Sequence, residues 1–353
     1  MADVAKIIGV STAAVSIALS GRASSTRLSA ATREKILRTA KRLGYKPDIR
    51  GKSLRQQRSF IVAFLCRETF IPYAIPLLRG VQEGIQQRNY TVMTFSLGNS
   101  TADELEHIHA ALDRRVDGLI LTPAIDADSA TNGQLLRAKC KEGFPVVQLQ
   151  IATCPGVPFV CPNNRAAGAM LTRHLIELGH KRIVHLTHEF YRDHELIGYY
   201  QDPAEQAKGY TDEMRRASLS PRIVTHRGVQ GNEPEFEDAM RDAVDVLLQG
   251  PDRPTAVTTG SYSQALSLMR WLYRRGLRVP EDISVATSCD VDATALFAPP
   301  LTAARWPLEE EGRAAAEMIF RLMDGETVED ITLEPELIIR ESTAPLAPAG
   351  SAG

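Results

Sequence analysis

No stretch of the 353-residue chain approaches the roughly 20 consecutive apolar residues of a membrane-spanning helix. The N-terminus carries no apolar core of a secretion signal, so the expected compartment is the cytoplasm and no membrane partner is expected. The five cysteines, Cys66, Cys140, Cys154, Cys161 and Cys289, form no C-x-x-C pair. Their odd number and wide spacing fit reduced thiols better than a disulfide framework or a zinc site. G-x-G-x-x-G, G-x-x-x-x-G-K-[ST] and G-x-S-x-G are all missing, so no enzyme motif is legible. The cluster HEFYRDHE at 188–195 has histidines and carboxylates but no regular ligand spacing and no nearby cysteine. Neither a metal nor a cofactor is expected.

The overall charge of −2 conceals an asymmetry. Residues 1–58 hold 13 lysines and arginines against Asp3, Glu34 and Asp48, a net charge of +10, and the remainder carries −12. A basic head on an acidic body is the footprint of a nucleic-acid module joined to something else.

Within the head, DVAKIIGVSTAAVSIAL at 3–19 reads as two short helices around a tight turn. Val4, Ala5, Ile7 and Ile8 give the first helix its apolar face. Gly9 ends it, since glycine accepts positive φ without steric cost. Ser11 is an N-cap for the second helix. Val15 and Leu19 share one face of that helix, while Thr12, Ala13, Ser16 and Ile17 lie on other faces. This is the helix-turn-helix pattern, whose second helix can enter the major groove of DNA. Ser29 caps a predicted third helix, with Ile36, Leu37, Ala40 and Leu43 as its apolar stripe and Gly44 as its stop. Tyr45, the only aromatic residue of the head, is expected to pack beneath it. The basic segment DIRGKSLRQQRS at 48–59 has few core residues and reads as a linker that orders only with support.

From Phe60 the texture changes to apolar strands alternating with amphipathic helices. That alternation predicts parallel sheets covered on both faces, and about nine such units are too many for one compact sheet. Two α/β lobes are expected, with a ligand site in the cleft outside the strand carboxyl ends. The final stretch APLAPAGSAG is expected to be disordered.

The head resembles the lac-repressor/galactose-repressor family of bacterial transcription regulators, through DVAKIIGVSTAAVSIAL and LSAATREKILRTAKRLGYKPD. The likeness continues through IELGHKRI at 176–183, GLRVPEDISV at 276–285, PPLTAARWPLEEEGRAAA at 299–316 and LEPELIIRES at 333–342. It implies a dimeric repressor with a body built like a periplasmic sugar-binding protein, whose chain crosses between lobes near Cys161, Val291 and Met323. The implied domains are a helix-turn-helix head at 1–47 and a hinge at 48–59. The N-terminal lobe would hold 60–161 plus 291–322, the C-terminal lobe 162–290 plus 323–342, and a disordered tail 343–353. The polar cap that usually precedes the first helix is missing, so either the true start lies upstream or that helix is frayed.

The same resemblance assigns site residues. Thr12, Ala13, Ser16 and Ile17 would contact bases, with apolar contacts suited to thymine methyls. Lys6, Ser11, Arg22 and Arg33 would contact phosphates and set register. Leu54 and Arg55 would lie in the hinge, with Leu54 wedged into the minor groove. Gly51, where the family has alanine, weakens that hinge helix. Ala14 and Ile17 stand where the family has threonine and arginine, so the operator is expected to differ from the common one. In the cleft, Tyr73, Arg192, Cys289 and Asp290 are the expected effector contacts, Cys289 standing where the family often has a ligand-gripping aspartate. The partners implied are double-stranded operator DNA, a sugar or related metabolite, and a second copy of the chain. A solute-sensing binding protein acting through protein contacts is the alternative, and the basic head argues against it.

Overall fold

The computed structural model describes residues 2–20, 28–44, 56–67, 72–97, 101–123, 129–188, 191–192, 195–196, 201–227, 233–250 and 252–346. The chain divides into two compact units, 1–59 and 60–353.

The first unit holds three helices, α1 (Ala2–Ile8), α2 (Thr12–Ser20) and α3 (Ala30–Arg42). Gly9 and Gly44 end α1 and α3 at φ +74° and +63°, conformations that a Cβ would strain. Ser11 Oγ accepts the Ala14 N–H at 3.1 Å, and Ser29 Oγ accepts the Thr32 N–H at 3.1 Å, so both serines serve as caps. The α1 and α2 axes bend by 105°, within the range of helix-turn-helix pairs. Val4, Ala5, Val15, Ala18, Ile36 and Ala40 form the core.

Three expected core positions fall outside it. Ile7, Leu37 and Leu43 are 52, 43 and 44% exposed. On α1 the buried positions are Val4 and Ala5, and on α3 they are Ile36, Thr39 and Ala40. Those residues occupy the arcs that face the neighbouring helices, and Ile7, Leu37 and Leu43 lie off them. Tyr45, Gly51, Leu54 and Arg55 lie outside the described residues.

The second unit contains two six-stranded sheets. The first is built from β1 (Ile61–Arg67), β2 (Thr91–Leu97), β3 (Gly118–Leu121), β4 (Val146–Leu149), β5 (Phe159–Pro162) and β13 (Ile331–Leu333), in the order β13-β5-β4-β3-β1-β2. Its neighbouring strands are all parallel. On one face α4 (Ala74–Gln86) and α11 (Leu308–Met323) bury Leu77, Val81, Ile85, Ala315 and Ile319 against Phe64 and Ile120. On the other, α5 (Thr101–Asp113) and α6 (Ser129–Lys141) contribute Ile108, Ala111 and Leu136.

The second sheet is built from β6 (Ile183–His188), β9 (Arg222–His226), β10 (Ala256–Thr259), β11 (Ser284–Ser288), β12 (Thr302–Arg305) and β14 (Glu336–Ile338). Its order is β14-β12-β11-β10-β6-β9, parallel except for β12 with β14. Helices α7 (Asn164–Glu177) and α8 (Gln201–Arg216) cover one face, and α9 (Glu233–Leu248) and α10 (Tyr262–Arg274) the other. A two-residue hairpin, β7 (Tyr191–Arg192) with β8 (Glu195–Leu196), follows β6.

The chain passes from the first lobe to the second between β5 and α7. The later crossings differ from the expected ones. Residues Thr302–Arg305 pair in register with β11, so the chain stays in the second lobe to 305 rather than leaving it near Val291. It then stays in the first lobe to 333, past Met323, because Ile331, Thr332 and Leu333 pair with β5. Residues 291–305 therefore belong to the C-terminal lobe and 323–333 to the N-terminal lobe. The expected tail at 343–353 is likewise partly fixed. Thr343 Oγ1 lies 3.0 Å from His174 Nε2, Ala344 O lies 3.0 Å from His180 Nε2, and the Leu346 N–H donates to Leu178 O at 2.9 Å.

Candidate functional site

In the head, Lys6, Ser11, Thr12, Ala13 and Arg33 are exposed, and Ser16 and Ile17 are half-buried. Thr12 and Ala13 stand in the first turn of α2 because Val15 and Ala18 turn the opposite face into the core. The Ser11 hydroxyl is occupied as an acceptor by its capping bond and still has its proton to donate. Arg22, Leu54 and Arg55 lie outside the described residues. The exposed surface of α2 combines small polar and apolar groups, which suit base edges, with exposed cations on the flanking helices.

In the body, the carboxyl ends of the strands bring polar side chains to one end of each sheet. Tyr73 immediately precedes α4 and is half-buried. Arg192 belongs to β7, and only its backbone is described. Cys289 is 3% exposed at φ +67°. Burial, then the charges of Asp290 and Glu311, push its thiol pKa up, so it stays a neutral thiol.

The Asp290 carboxylate, expected among the effector contacts, is engaged within the protein itself. Its carboxylate accepts from Arg305 Nε at 2.9 Å and Nη2 at 2.7 Å, from Arg340 Nη1 at 2.8 Å and Nη2 at 2.9 Å, and from Thr294 Oγ1. Burial works against its charge, but the bonds from Arg340, Thr294 and Arg305 hold it below the usual carboxylate range. The residue is a structural anchor joining β11, β12 and the segment after β14.

Other polar residues converge where none was expected. Thr259 is in register with Leu186 and Thr287, which places Gly260 beside Thr187 and Ser288 at the end of the sheet. Side chains alternate along these strands: Val184, Leu186, Val257 and Val285 face α9 and α10, whereas Ile183, Ala256 and Ala286 face α7 and α8. Thr187 and Ser288 therefore face α7 and α8. From those helices come Asn164 and Gln206, with Gln206 Nε2 donating to Asn164 Oδ1 at 3.0 Å. The two helices touch backbone to backbone. A Cβ on Gly168 would fall 2.1 Å from Gln206 O, and one on Gly209 would fall 2.0 Å from Arg165 O. Those glycines hold Gln206 against the sheet end. Asn164 also borders a cavity of about 170 Å³ with Ala152, Cys161, Pro162, Arg165 and Glu205, at the first crossing between lobes.

Thr187, Gln206, Gln264 and Ser288 carry no sequence signal of their own. Their partnership follows from strand register and helix contact, which link residues up to about 120 positions apart in the chain and escape local patterning. The only cue was Gly260, following an apolar strand.

The arrangement has counterparts among known proteins. Residues 1–48 match the family model for bacterial regulatory proteins of the lacI family, and residues 172–343 match the periplasmic binding protein-like domain. The chain is 28% identical over 345 residues to the ribose operon repressor of Escherichia coli (strain K12), covering 97% of this chain and 98% of the relative. It superposes on the structure of the transcriptional regulator CelR in complex with cellobiose with a TM-score of 0.65 at 26% identity, covering 96% of this chain and 98% of the other. With the lac repressor dimer bound to operator and the anti-inducer ONPF the TM-score is 0.76, covering 97% and 98%, and at 21% identity this likeness concerns the fold. A helix-turn-helix head and a two-lobed body on one chain, matched in both parts, place this protein in the lacI family of bacterial regulatory proteins.

Proposed function

We propose that the chain is a ligand-responsive transcription repressor of metabolic, sugar-related genes. It works in the cytoplasm as a homodimer on double-stranded operator DNA and performs no catalysis. The observation that carries this reading is the exposed first turn of α2, with Thr12 and Ala13 outward and the cations Lys6 and Arg33 on the flanking helices. Phosphate contacts by the basic head supply affinity and register, and the α2 side chains read base edges. Residues 48–59 join the head to the body, and a ligand that shifts the lobes is proposed to change operator affinity through that segment, so that both sites act on one equilibrium. Tyr73 and Arg192 are proposed to contact the effector.

A gel-shift titration against genomic fragments tests the reading. The full chain should retard a subset of fragments, with affinity falling steeply as salt rises, because each neutralised phosphate releases counterions. Residues 60–353 alone should retard none. A shallow salt slope, or retention of specific binding by the truncated chain, refutes it. Arg192→Ala should weaken the effector response by about two decades through an unpaired buried ligand group.

A further inference from the structure

Four histidines are buried among the described residues, His174, His180, His185 and His226, and all four belong to the second lobe. The first lobe's His107 and His109 stand on α5, one half-buried and the other exposed. His185 is the most enclosed of the four, at 1% exposure, and lies within β6 in register with Ile223 and Thr258. Its ring stacks on Tyr210 of α8 with centroids 5.4 Å apart. Nδ1 lies 2.9 Å from Thr258 Oγ1. Nε2 is buried and has no hydrogen-bond partner among the described residues. An imidazolium donates from both ring nitrogens, so a protonated His185 would hold a charged N–H without an acceptor in a dry core. The neutral ring can leave Nε2 as a bare lone pair, at a smaller cost.

The groups around His185 offer the proton no compensation. Tyr210 spends its hydroxyl on Ile183 O and Arg222 O, and burial pushes its phenol up to about 12, so it stays neutral. Glu213, the buried carboxylate of the same helix, is held by Arg173 and Arg216. Helix α7 presents Leu171 and Leu175 to this core. Burial therefore pushes the His185 imidazole down to about 4. His174 and His180 clamp the chain after β14 onto the same lobe. His180 Nε2 donates to Ala344 O at 3.0 Å, which leaves Nδ1 to accept from the Thr255 hydroxyl at 3.0 Å. His174 Nε2 lies 3.0 Å from Thr343 Oγ1. Burial lowers both imidazoles, partly offset by the Glu177 charge at His174 and by the Ala344 carbonyl at His180, to which His174 adds a further lowering. On the other face of the sheet the His226 ring lies 4.2 Å from that of His188.

We propose that the second lobe is a proton-coupled switch: its opening takes up a proton at His185, so acid competes with any ligand that holds the lobe closed. The first lobe has its own cores, and none of the buried imidazoles lies in them. In the opened lobe an imidazole titrates near about 6.5, and in the closed lobe His185 titrates lower. The stability that rests on the neutral ring is complete above about pH 6.5 and is lost as pH falls toward 4. Between pH 7 and pH 5 the opening constant should rise about 20-fold through His185 alone. His174 and His180 act in the same direction. Only the consequence for DNA, a weaker ligand response in acid, rests on the regulator reading.

Hydrogen exchange of the full chain tests this, read peptide by peptide in a mass spectrometer at pH 7, 6 and 5. Corrected for the intrinsic pH dependence of exchange, it gives the opening constant of each lobe. Peptides from β6, β10 and α8 should show a rise of about 20-fold or more from pH 7 to pH 5, and peptides from β1, β3 and β4 one of less than about threefold. His185→Phe keeps a ring against Tyr210 and removes the proton site, so the rise in the second lobe should shrink by about tenfold. His185→Gln, smaller and uncharged, should do the same, and the contrast between lobes in the parent protein needs no variant. Equal rises in both lobes, a second-lobe rise below about threefold, or an undiminished rise in a folded His185 variant overturns the switch. Exchange requires no DNA, so a chain that retards no DNA fragment loses the regulator reading and keeps the switch.

Discussion

Replacing Asp290 by asparagine removes the charge that two guanidiniums share at the end of the second sheet. Asp290 is 3% exposed at its side chain, Arg340 is 15% exposed and Arg305 is 46% exposed. The Arg305 pair is half in water and contributes less than about 1 kcal/mol. The Arg340 pair is different, because its charge would be left buried and uncompensated, which costs about 3 kcal/mol or more. Asp290→Asn should therefore lower the unfolding free energy of the body by about 3 kcal/mol at neutral pH, a large share of the 5–15 kcal/mol typical of folded proteins. Adding Arg340→Met should recover much of the loss, since removing both partners leaves nothing unpaired. The pH dependence has a definite sign. The folded pKa of Asp290 lies below its unfolded value, so its contribution is complete above about pH 4 and is lost as pH falls through the lower folded value. Urea unfolding of both proteins, followed by circular dichroism at pH 7 and pH 3, measures it, and the gap should be full at pH 7 and smaller at pH 3. A gap below about 0.5 kcal/mol at pH 7, or one of equal size at both pH values, would refute the reasoning.

If Leu54 holds the minor-groove wedge role that the family resemblance implies, Leu54→Ala should reduce operator affinity at least about tenfold and straighten the DNA in a bending assay. Gly209→Ala should push α8 off α7, since its Cβ would meet Arg165 O at 2.0 Å. The expected result is a loss of about 1–3 kcal/mol in urea unfolding, with ligand response falling because Gln206 moves. Ile36→Ala should destabilise the head by about 2–5 kcal/mol, seen as loss of helical signal in isolated residues 1–58. With Trp271 replaced by phenylalanine, the emission of Trp306 alone should change on effector binding, because that residue sits in the second crossing between β12 and α11.

Local chemistry carried the helix ends. Ser11, Ser29, Gly9 and Gly44 act through neighbours within three or four residues, so their roles were readable from spacing. The apolar runs of β1, β3 and β4 were equally legible, being buried on both faces. The crossings were not. Thr302–Arg305 and Ile331–Leu333 are four and three residues long. Their membership in a sheet is decided by pairing with distant strands rather than by their own composition. Exposure of Ile7, Leu37 and Leu43 depends on how three helices meet, which no single helix encodes. Asp290 was itself an expected effector contact, but only the fold brings Arg305 and Arg340 to it. The polar row around Gly260 was hidden for the same reason, since Thr187, Gln206 and Gln264 come from three elements.

The three crossings also fix the order in which the lobes can be completed during synthesis. When the ribosome has made β1 to β5, the first sheet has α4 over one face but lacks α11, which supplies Ala315, Ala316, Met318, Ile319 and Phe320 to that face. Roughly 160 more residues must emerge before α11 can close it, about 8–30 s at ordinary rates of translation. Throughout that interval the second lobe, except β14 and the segment after it, is being made, while an apolar strip of the first sheet stays wet. Aggregation and chaperone capture of the nascent chain should therefore peak while the ribosome is between Pro162 and Leu308, and the two lobes acquire their finished cores almost together, in the last stretch of translation.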